Sequence, residues 1–454
     1  MSGKEPNTEQ IPTPIQSRQQ DAVLYSLLQQ LNESQWWSSK QLVRGQLHQL
    51  RKVVAYSILY SPFYRERFRN LDVNRLELEN FRMLPILTRR DLQEYNDTID
   101  CSQLPENHGK TSEIMTSGST ATPVKVRGTG LTSMLWNAIN MREQLWHQRD
   151  HSRIMAAIRW HSDPIGLAPA GIEFEDWGMP INQFYKTGLG FYLNSSADIA
   201  DQLRWLQKIK PAYLMSHPSN LMALLREAQR QAIKFPELRE VRTVGETVTD
   251  ELRQLAQVEF NAHLVDFYST QEVGYIAIQC PLNEHYHIQS ESVLVEVVRE
   301  DGSACESNEV GKILVTSLRN YATPLIRYDI GDYGEMGEAC SCGRSLPVLR
   351  RIHGRVRNML QLPDGNKRWP NFGFAKFMEI APLRQFQVVQ RRFDLIELKL
   401  VVDEKLSAEQ EAGIKQVLIT RLGHPFAVEI TYHEVIARTA GGKYEDFVSM
   451  ISVN

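Results

Sequence analysis

With 454 residues, 42% of them hydrophobic and 23% charged, the chain has ordinary globular composition and is too long for one compact core, so two or more domains are expected. Fifty-one Lys and Arg against 54 Asp and Glu leave a formal charge of −3, which excludes the broad positive field that would hold nucleic acid or an anionic membrane. Apolar runs stay short of the roughly 18 residues a membrane span needs, and five cysteines, odd in number and sparse, argue for a reducing, cytoplasmic setting rather than a disulfide framework.

Residues 1–20 are polar and lack an apolar segment, and are expected to form a flexible leader, neither secretory signal nor anchor. From Lys40 to Tyr60, apolar residues at Leu42, Val43, Leu47, Leu50, Val53, Val54, Ile58 and Leu59 follow helical spacing, predicting a packing helix. Thr88-Arg89-Arg90-Asp91 has the form of a capping box at a helix start. Aromatic and histidine residues cluster between Trp136 and Trp177. A helix over Leu131–Arg149 that packs its aromatic stripe into the core accounts for the first of them.

Between about residues 200 and 268, helical patterns (Gln202–Lys210, Asn220–Gln231, Asp250–Glu259) alternate with short β-like runs (Ala212–Ser216, Val241–Gly245, His263–Tyr268). That alternation predicts βαβ crossovers and a largely parallel sheet, with function at strand ends. Val293–Val298 and Lys312–Ser317 read as hairpin strands with Asp301-Gly302-Ser303 as the turn. Strands Phe386–Val389 and Leu395–Val402, helix Ala408–Leu422 and strand Ala427–Tyr432 make a small α+β unit at the end. The expected class is therefore α/β: a large domain of parallel and mixed sheets with helices over 21–355, then a small mobile α+β domain over 356–454.

Five stretches carry chemistry. Met115-Thr-Ser-Gly-Ser-Thr-Ala-Thr-Pro-Val-Lys125 is dense in Ser, Thr and Gly, whose N–H and O–H groups can surround phosphate oxygens; alone it also reads as a surface loop. Gly109-Lys110-Thr111 is no Walker A motif, because Leu104 stands where its first Gly is required. Asp266-Phe-Tyr-Ser-Thr-Gln-Glu-Val-Gly274 ends a β-like run with an aromatic and a carboxylate, able to stack on a base and to hold a metal. In Pro324-Leu-Ile-Arg-Tyr-Asp-Ile-Gly-Asp332 the last Asp can accept from vicinal hydroxyls, or be a turn acid. His353-Gly-Arg355-Val-Arg357-Asn358 lies at the expected domain junction, and Arg438-Thr-Ala-Gly-Gly-Lys443 offers a lysine on a glycine loop. Separately, Cys280, His287, Cys340 and Cys342 make a Cys3His set suited to tetrahedral Zn²⁺, with His285 competing for the histidine place.

These motifs, in this order over about residues 50 to 450, resemble the adenylate-forming acyl/aryl-CoA synthetase superfamily, and within it the phenylacetate-CoA ligase and coenzyme F390 synthetase branch. Leu84-Pro-Ile-Leu87 with Asp91, Cys340-Ser-Cys-Gly-Arg344 and Phe386-Gln-Val-Val-Gln390 are similar to that branch in particular. The resemblance implies that Ser117, Gly118, Ser119 and Thr120 hold the β- and γ-phosphates of ATP with Lys125 assisting, although Ala121 stands where the family usually has Gly. It implies that Tyr268 stacks on adenine, Glu272 binds Mg²⁺, Asp332 takes the ribose hydroxyls, and Arg355 lies near the nucleotide; Gln271 replaces the usual Thr or Ser. Gly245 and Glu246 resemble the segment lining the adenine and acyl sites, Arg357 holds the hinge position, and Lys443 is the adenylation lysine. Some relatives resemble the Cys/His pattern too, which adds to the case for structural Zn²⁺.

The implied activity is ATP- and Mg²⁺-dependent conversion of a carboxylic acid, an aryl or arylalkyl one, to an acyl-AMP and then to a coenzyme A thioester. An amine or a carrier-protein thiol stays open as the acceptor, as does a homodimer. A nucleotide-binding protein without catalysis is the reading from another class, opposed by the joint presence of Lys443, Glu272 and Asp332.

Overall fold

A computed structural model of the chain describes residues 19–115, 124–355, 359–370, 374–436 and 444–451. The chain divides into two compact units, Met1–Ile330 with Gly334–Ile352, and Gly331–Tyr333 with His353–Asn454.

The first unit opens with helices α1 (Gln19–Ser34), α2 (Ser39–Tyr60), α3 (Pro62–Arg67), α4 (Leu78–Phe81), α5 (Arg89–Glu94) and α6 (Asn96–Ile99). The stripe expected along Lys40–Tyr60 is the inner face of α2, where Leu42, Leu50, Val53 and Val54 are buried. The capping box at Thr88 is present: the Thr88 amide donates to Asp91 Oδ2 at 2.8 Å, and the Asp91 amide donates to Thr88 Oγ1 at 3.1 Å. A hairpin of β1 (Thr111–Met115) and β2 (Lys125–Thr129) leads into α7 (Gly130–Trp146).

Then come β3 (Met155–Arg159), β4 (Ile172–Phe174), β5 (Gly190–Asn194), α8 (Ile199–Ile209), β6 (Tyr213–Ser216), α9 (Pro218–Arg230), β7 (Glu240–Thr243), α10 (Asp250–Phe260) and β8 (His263–Thr270). Strands β9 (Gly274–Gln279), β10 (Tyr286–Ile288), β11 (Val293–Val298), β12 (Val310–Ser317), β13 (Tyr328–Met336) and β14 (Val348–Arg355) follow. Among the described residues they form one 12-stranded sheet in the order β11-β12-β13-β14-β10-β9-β8-β7-β6-β3-β5-β4. Strands β5, β3, β6, β7 and β8 run parallel, and β9 returns antiparallel to β8.

The parallel part is doubly wound. Ala156, Ile158, Leu193, Leu214, Val241 and Leu264 face one way and pack under α8, α9 and α10. Phe267 and Ile278 face the other way, against Ala138, Ile139, Met141 and Trp146 of α7. Each fully buried Leu or Ile in these layers contributes about 1.5–3 kcal/mol relative to an exposed one. The aromatic stripe of α7 is only partly in the core: Trp146 is 2% exposed, but Trp136 is 37% exposed and lies against Tyr275 with ring centroids 4.4 Å apart.

The expected Val293–Val298 and Lys312–Ser317 pairing is the antiparallel β11–β12 ladder. Its connection is longer than a hairpin turn. Arg299 and Ser303 close a tight turn around Asp301 and Gly302, an isolated bridge joins Val298 to Ala304, and β12 starts only at Val310. In the second unit β15 (Leu360–Gln361), β16 (Lys367–Arg368), α11 (Phe374–Ile380), β17 (Leu383–Arg392), β18 (Leu395–Val402), α12 (Ala408–Leu422), β19 (Ala427–Tyr432) and β20 (Phe447–Ser449) follow one another. A four-stranded sheet in the order β19-β18-β17-β20 carries this unit's own core, which includes Phe377, Val388, Leu398, Ile414 and Leu418.

Candidate functional site

In a doubly wound sheet the helices start, and polar groups converge, where parallel strands end. Here β7 ends at Thr243, and Val244, Gly245 and Glu246 turn away from the sheet; Gly245 takes φ +80°, a conformation that excludes most side chains. The half-buried Glu246 accepts the backbone N–H of Ser219 at 2.8 Å. Because the N-cap of α9, His217, makes no side-chain cap of its own, Glu246 supplies the anion that this helix start favours. His217 Nδ1 in turn lies 2.9 Å from the Val244 carbonyl oxygen.

One strand on, β8 carries Asp266, Phe267 and Tyr268. Tyr268 is 8% exposed and packed in the core formed with β9–β14, opposite to Phe267. Asp266 is buried, accepts from Thr243 Oγ1 and from the Tyr286 hydroxyl at 2.7 Å each, and burial pushes its pKa up to about 6 against the pull of those two bonds. The turn after β8 presents Glu272, half-buried, with no hydrogen-bond or ion-pair partner among the described residues. An open carboxylate at a strand end suits a divalent cation that bridges phosphates.

Lys125 opens β2 and pairs with Glu113 across the hairpin at 2.5 Å, which raises its pKa. The expected phosphate-holding residues Ser117, Gly118, Ser119 and Thr120 lie outside the described residues, as do Arg357 and Lys443 and all but the last two residues of the expected leader. In the second unit Asp332, on β13, and Arg355, at the end of β14, form an ion pair at 3.6 Å.

Three of the four expected cysteine and histidine ligands, Cys280, His287 and Cys340, lie in one tight group, in which His285 rather than Cys342 is the fourth member. Cys280 follows β9 and Cys340 lies 3.7 Å from it, sulfur to sulfur; Cys342 Sγ lies 3.3 Å from His287 Nε2. His287 is fully buried and its Nδ1 is held by the Leu346 carbonyl oxygen at 3.2 Å, so Nε2 is the nitrogen left to ligate. His285 belongs to the same cluster: the ligand atoms of Cys280, His285, His287 and Cys340 all lie within 4.8 Å of one another, and His285 Nε2 is buried without a hydrogen bond. The side-chain bonds from Cys280 and then His287 pull the Cys342 thiol well below its usual range. The amides of Leu282 and Cys342 donate to the Cys280 and Cys340 sulfurs, and the three thiols and two imidazoles gathered here offer more than the four ligand atoms that a tetrahedral soft-metal site would need.

Sequence reading missed a buried ionic cluster on the α7 side of the sheet. Glu143 receives Arg149 Nη2 at 2.8 Å and Arg242 Nε at 2.9 Å; Arg149 also donates to Glu240 at 2.7 Å, and Arg242 to the Tyr275 hydroxyl at 2.9 Å. Burial raises the Glu143 pKa and the two guanidiniums more than reverse it.

Residues 374–449 match the family described as the CapK C-terminal domain. The chain is 26% identical over 397 residues to a phenylacetate-coenzyme A ligase of Thermus thermophilus, covering 80% of this chain and 82% of that one. It is 24% identical over 397 residues to the phenylacetate-coenzyme A ligase of Escherichia coli, covering 83% and 87%. Among solved structures, a 2-hydroxyisobutyryl-CoA ligase in its postadenylation state shares the fold, with a TM-score of 0.71, 18% identity, and coverage of 91% of this chain and 90% of that one.

Proposed function

We propose that this chain, which belongs to the phenylacetate-CoA ligase-like branch of the adenylate-forming enzymes, activates a carboxylic acid with ATP as an acyl-AMP and transfers the acyl group to coenzyme A. The observation that carries the reading is the similarity to two such ligases over four fifths of this chain's length, joined by the shared fold. An aryl or arylalkyl acid is the substrate class we assign.

In the first half-reaction a carboxylate oxygen bonds to the α-phosphorus and the bond to pyrophosphate breaks. Anion repulsion is the barrier, so positioned positive charge and N–H donors accelerate it. Ser117, Gly118, Ser119 and Thr120 would hold the departing phosphates, and Lys443 would stabilise charge on the pentacoordinate phosphorus. Tyr268, Gly245 and Glu246 would border the adenine, and Asp332, beside its ion-pair partner Arg355, would accept from the ribose hydroxyls. The unpartnered Glu272 would hold Mg²⁺, which would supply charge neutralisation along the phosphates. In the second half-reaction the coenzyme A sulfur bonds to the acyl carbon and AMP leaves; movement at Arg357 would remove Lys443 from the site between the two steps.

Zn²⁺ would be held by Cys280, Cys340, Cys342 and His287, with His285 as the competing imidazole, and would fasten the loop after β9 to the segment after β13. With four protein ligands it would have a structural role.

The test is carboxylate-dependent ATP–pyrophosphate exchange over benzoic, phenylacetic, heteroaryl and fatty acids, followed by thioester detection with coenzyme A. Exchange with one acid class and AMP-coupled thioester formation are expected. Measurable ATP binding without exchange for any acid would defeat the proposal.

A further inference from the structure

The strands run in the spatial order β5-β3-β6-β7-β8, so the chain leaves β3 to one side and returns on its other side at β6. The crevice outside the carboxyl ends of β3 and β6 is thus the topological switch point, where open α/β sheets take their ligands. Arg159 is the last residue of β3 and stands at that edge.

Alternation along the strands and their register place Arg159 on the α7 face. Ala157 pairs with Tyr192 and with Met215, Met215 pairs with Arg242, and Arg159 is two residues beyond Ala157. Its backbone is fixed: the Tyr192 hydroxyl donates to the Arg159 carbonyl at 2.9 Å, and the Ser195 amide donates to the same oxygen at 3.0 Å. Tyr192 is held in turn, because Gly166, at φ +64°, lets the loop after β3 lie on its ring where a Cβ would come within 2.5 Å. Asn194 Nδ2 ties that loop down through the His161 and Ile165 carbonyls.

The charges on this face do not balance. Arg149 and Arg242 are neutralised by Glu143 and Glu240, whereas the Arg159 guanidinium has no hydrogen-bond or ion-pair partner among the described residues. Its side chain is exposed, and the neighbouring protein lowers its pKa chiefly by partial desolvation, with Tyr192, Arg242 and Tyr275 within electrostatic reach. An exposed guanidinium at the switch point, fixed at its backbone and left without a counter-charge among the described residues, is open to pair with an anion or strong acceptor.

We infer that Arg159 is a specificity-determining residue: it receives a second acceptor group, best a carboxylate and next a phenolic or carbonyl oxygen, on the acid that this enzyme activates, with Tyr192 beside it. This rests on the adenylation reading above and names the substrate class for it. Selection works by difference, since only an acid that carries that group gains a charge-assisted pair with the guanidinium.

The experiment measures pyrophosphate exchange by the full chain with matched acids: phenylacetate against 3- and 4-carboxyphenylacetate and 4-hydroxyphenylacetate, and benzoate against isophthalate and terephthalate. The wild type should favour an acceptor-bearing member. Arg159→Gln should raise the KM of that acid by about ten- to a hundredfold with kcat little changed, and should leave the plain acid within about twofold. Arg159→Lys should restore part of the preference. A wild-type preference for the plain acid in every pair overturns the inference and leaves adenylation standing, as does an equal loss with both members in both variants. Exchange with no member of any pair overturns the adenylation reading and this inference with it.

Discussion

Arg242 on β7 donates through Nε to Glu143 on α7 at 2.9 Å, both side chains being buried, and the same carboxylate takes Arg149. Two guanidiniums on one carboxylate lock the last turn of α7 to the sheet. Glu143→Gln leaves two buried guanidiniums with Glu240, which reaches only Arg149, as the remaining carboxylate, so Arg242 loses its counter-charge and a loss of about 3–5 kcal/mol of unfolding free energy is expected. Guanidinium chloride titration of the variant against wild type checks it; an unchanged midpoint would show that Glu240 alone suffices to neutralise the cluster.

His151 is 8% exposed, stacked on Tyr185 with centroids 4.0 Å apart, and its Nε2 has no partner. Burial, then Arg149, pulls its pKa down to about 4, from 6.5 in an unfolded chain. As pH falls below 6.5 the unfolded state takes up a proton that the folded state refuses, so the contribution is full above 6.5 and is lost progressively toward pH 4, by up to about 3 kcal/mol. In urea melts at pH 7 and pH 4.5, His151→Phe should lose less stability on acidification than wild type. Parallel losses would refute the assignment.

If the Cys/His cluster is a zinc site, purified protein carries about one zinc per chain, and a strong chelator lowers its melting temperature. Cys280→Ser should abolish zinc retention, whereas Cys305→Ser, away from the cluster, should not. Elemental analysis and differential scanning fluorimetry decide it, and zinc-free protein of unchanged melting temperature with or without chelator would reduce the cluster to buried thiols.

Under the proposed adenylation role, which puts the charge of Lys443 to use in the transition state, Lys443→Ala is expected to cut exchange by at least about a hundredfold while leaving nucleotide affinity nearly intact. Glu272→Gln should raise the Mg²⁺ concentration needed for half-maximal exchange. Isothermal titration with ATP beside the exchange assay separates the two effects; full exchange in Lys443→Ala would remove that lysine from the chemistry.

Periodicity alone determined most of the secondary structure. The runs from Gln202 to Tyr268 carry enough alternation to declare a parallel sheet, and Leu395–Val402, Ala408–Leu422 and Ala427–Tyr432 are elements with those bounds in the structure. Local chemistry was equally legible where a few adjacent residues suffice, as in the Thr88 cap, and the order of the motifs along the chain carried the resemblance to the phenylacetate-coenzyme A ligases to which the chain is similar. What only the tertiary structure decided depends on residues far apart in sequence. Glu143 and Arg242 are 99 residues apart, and Cys280 is 60 from Cys340. A sequence lists six or more arginines in this region without saying which ones find carboxylates. Only the strand order, which sets β3 between β5 and β6, and the packing of α7, which delivers Glu143 to two of them, leave Arg159 as the one on that face among the described residues with its charge unmet.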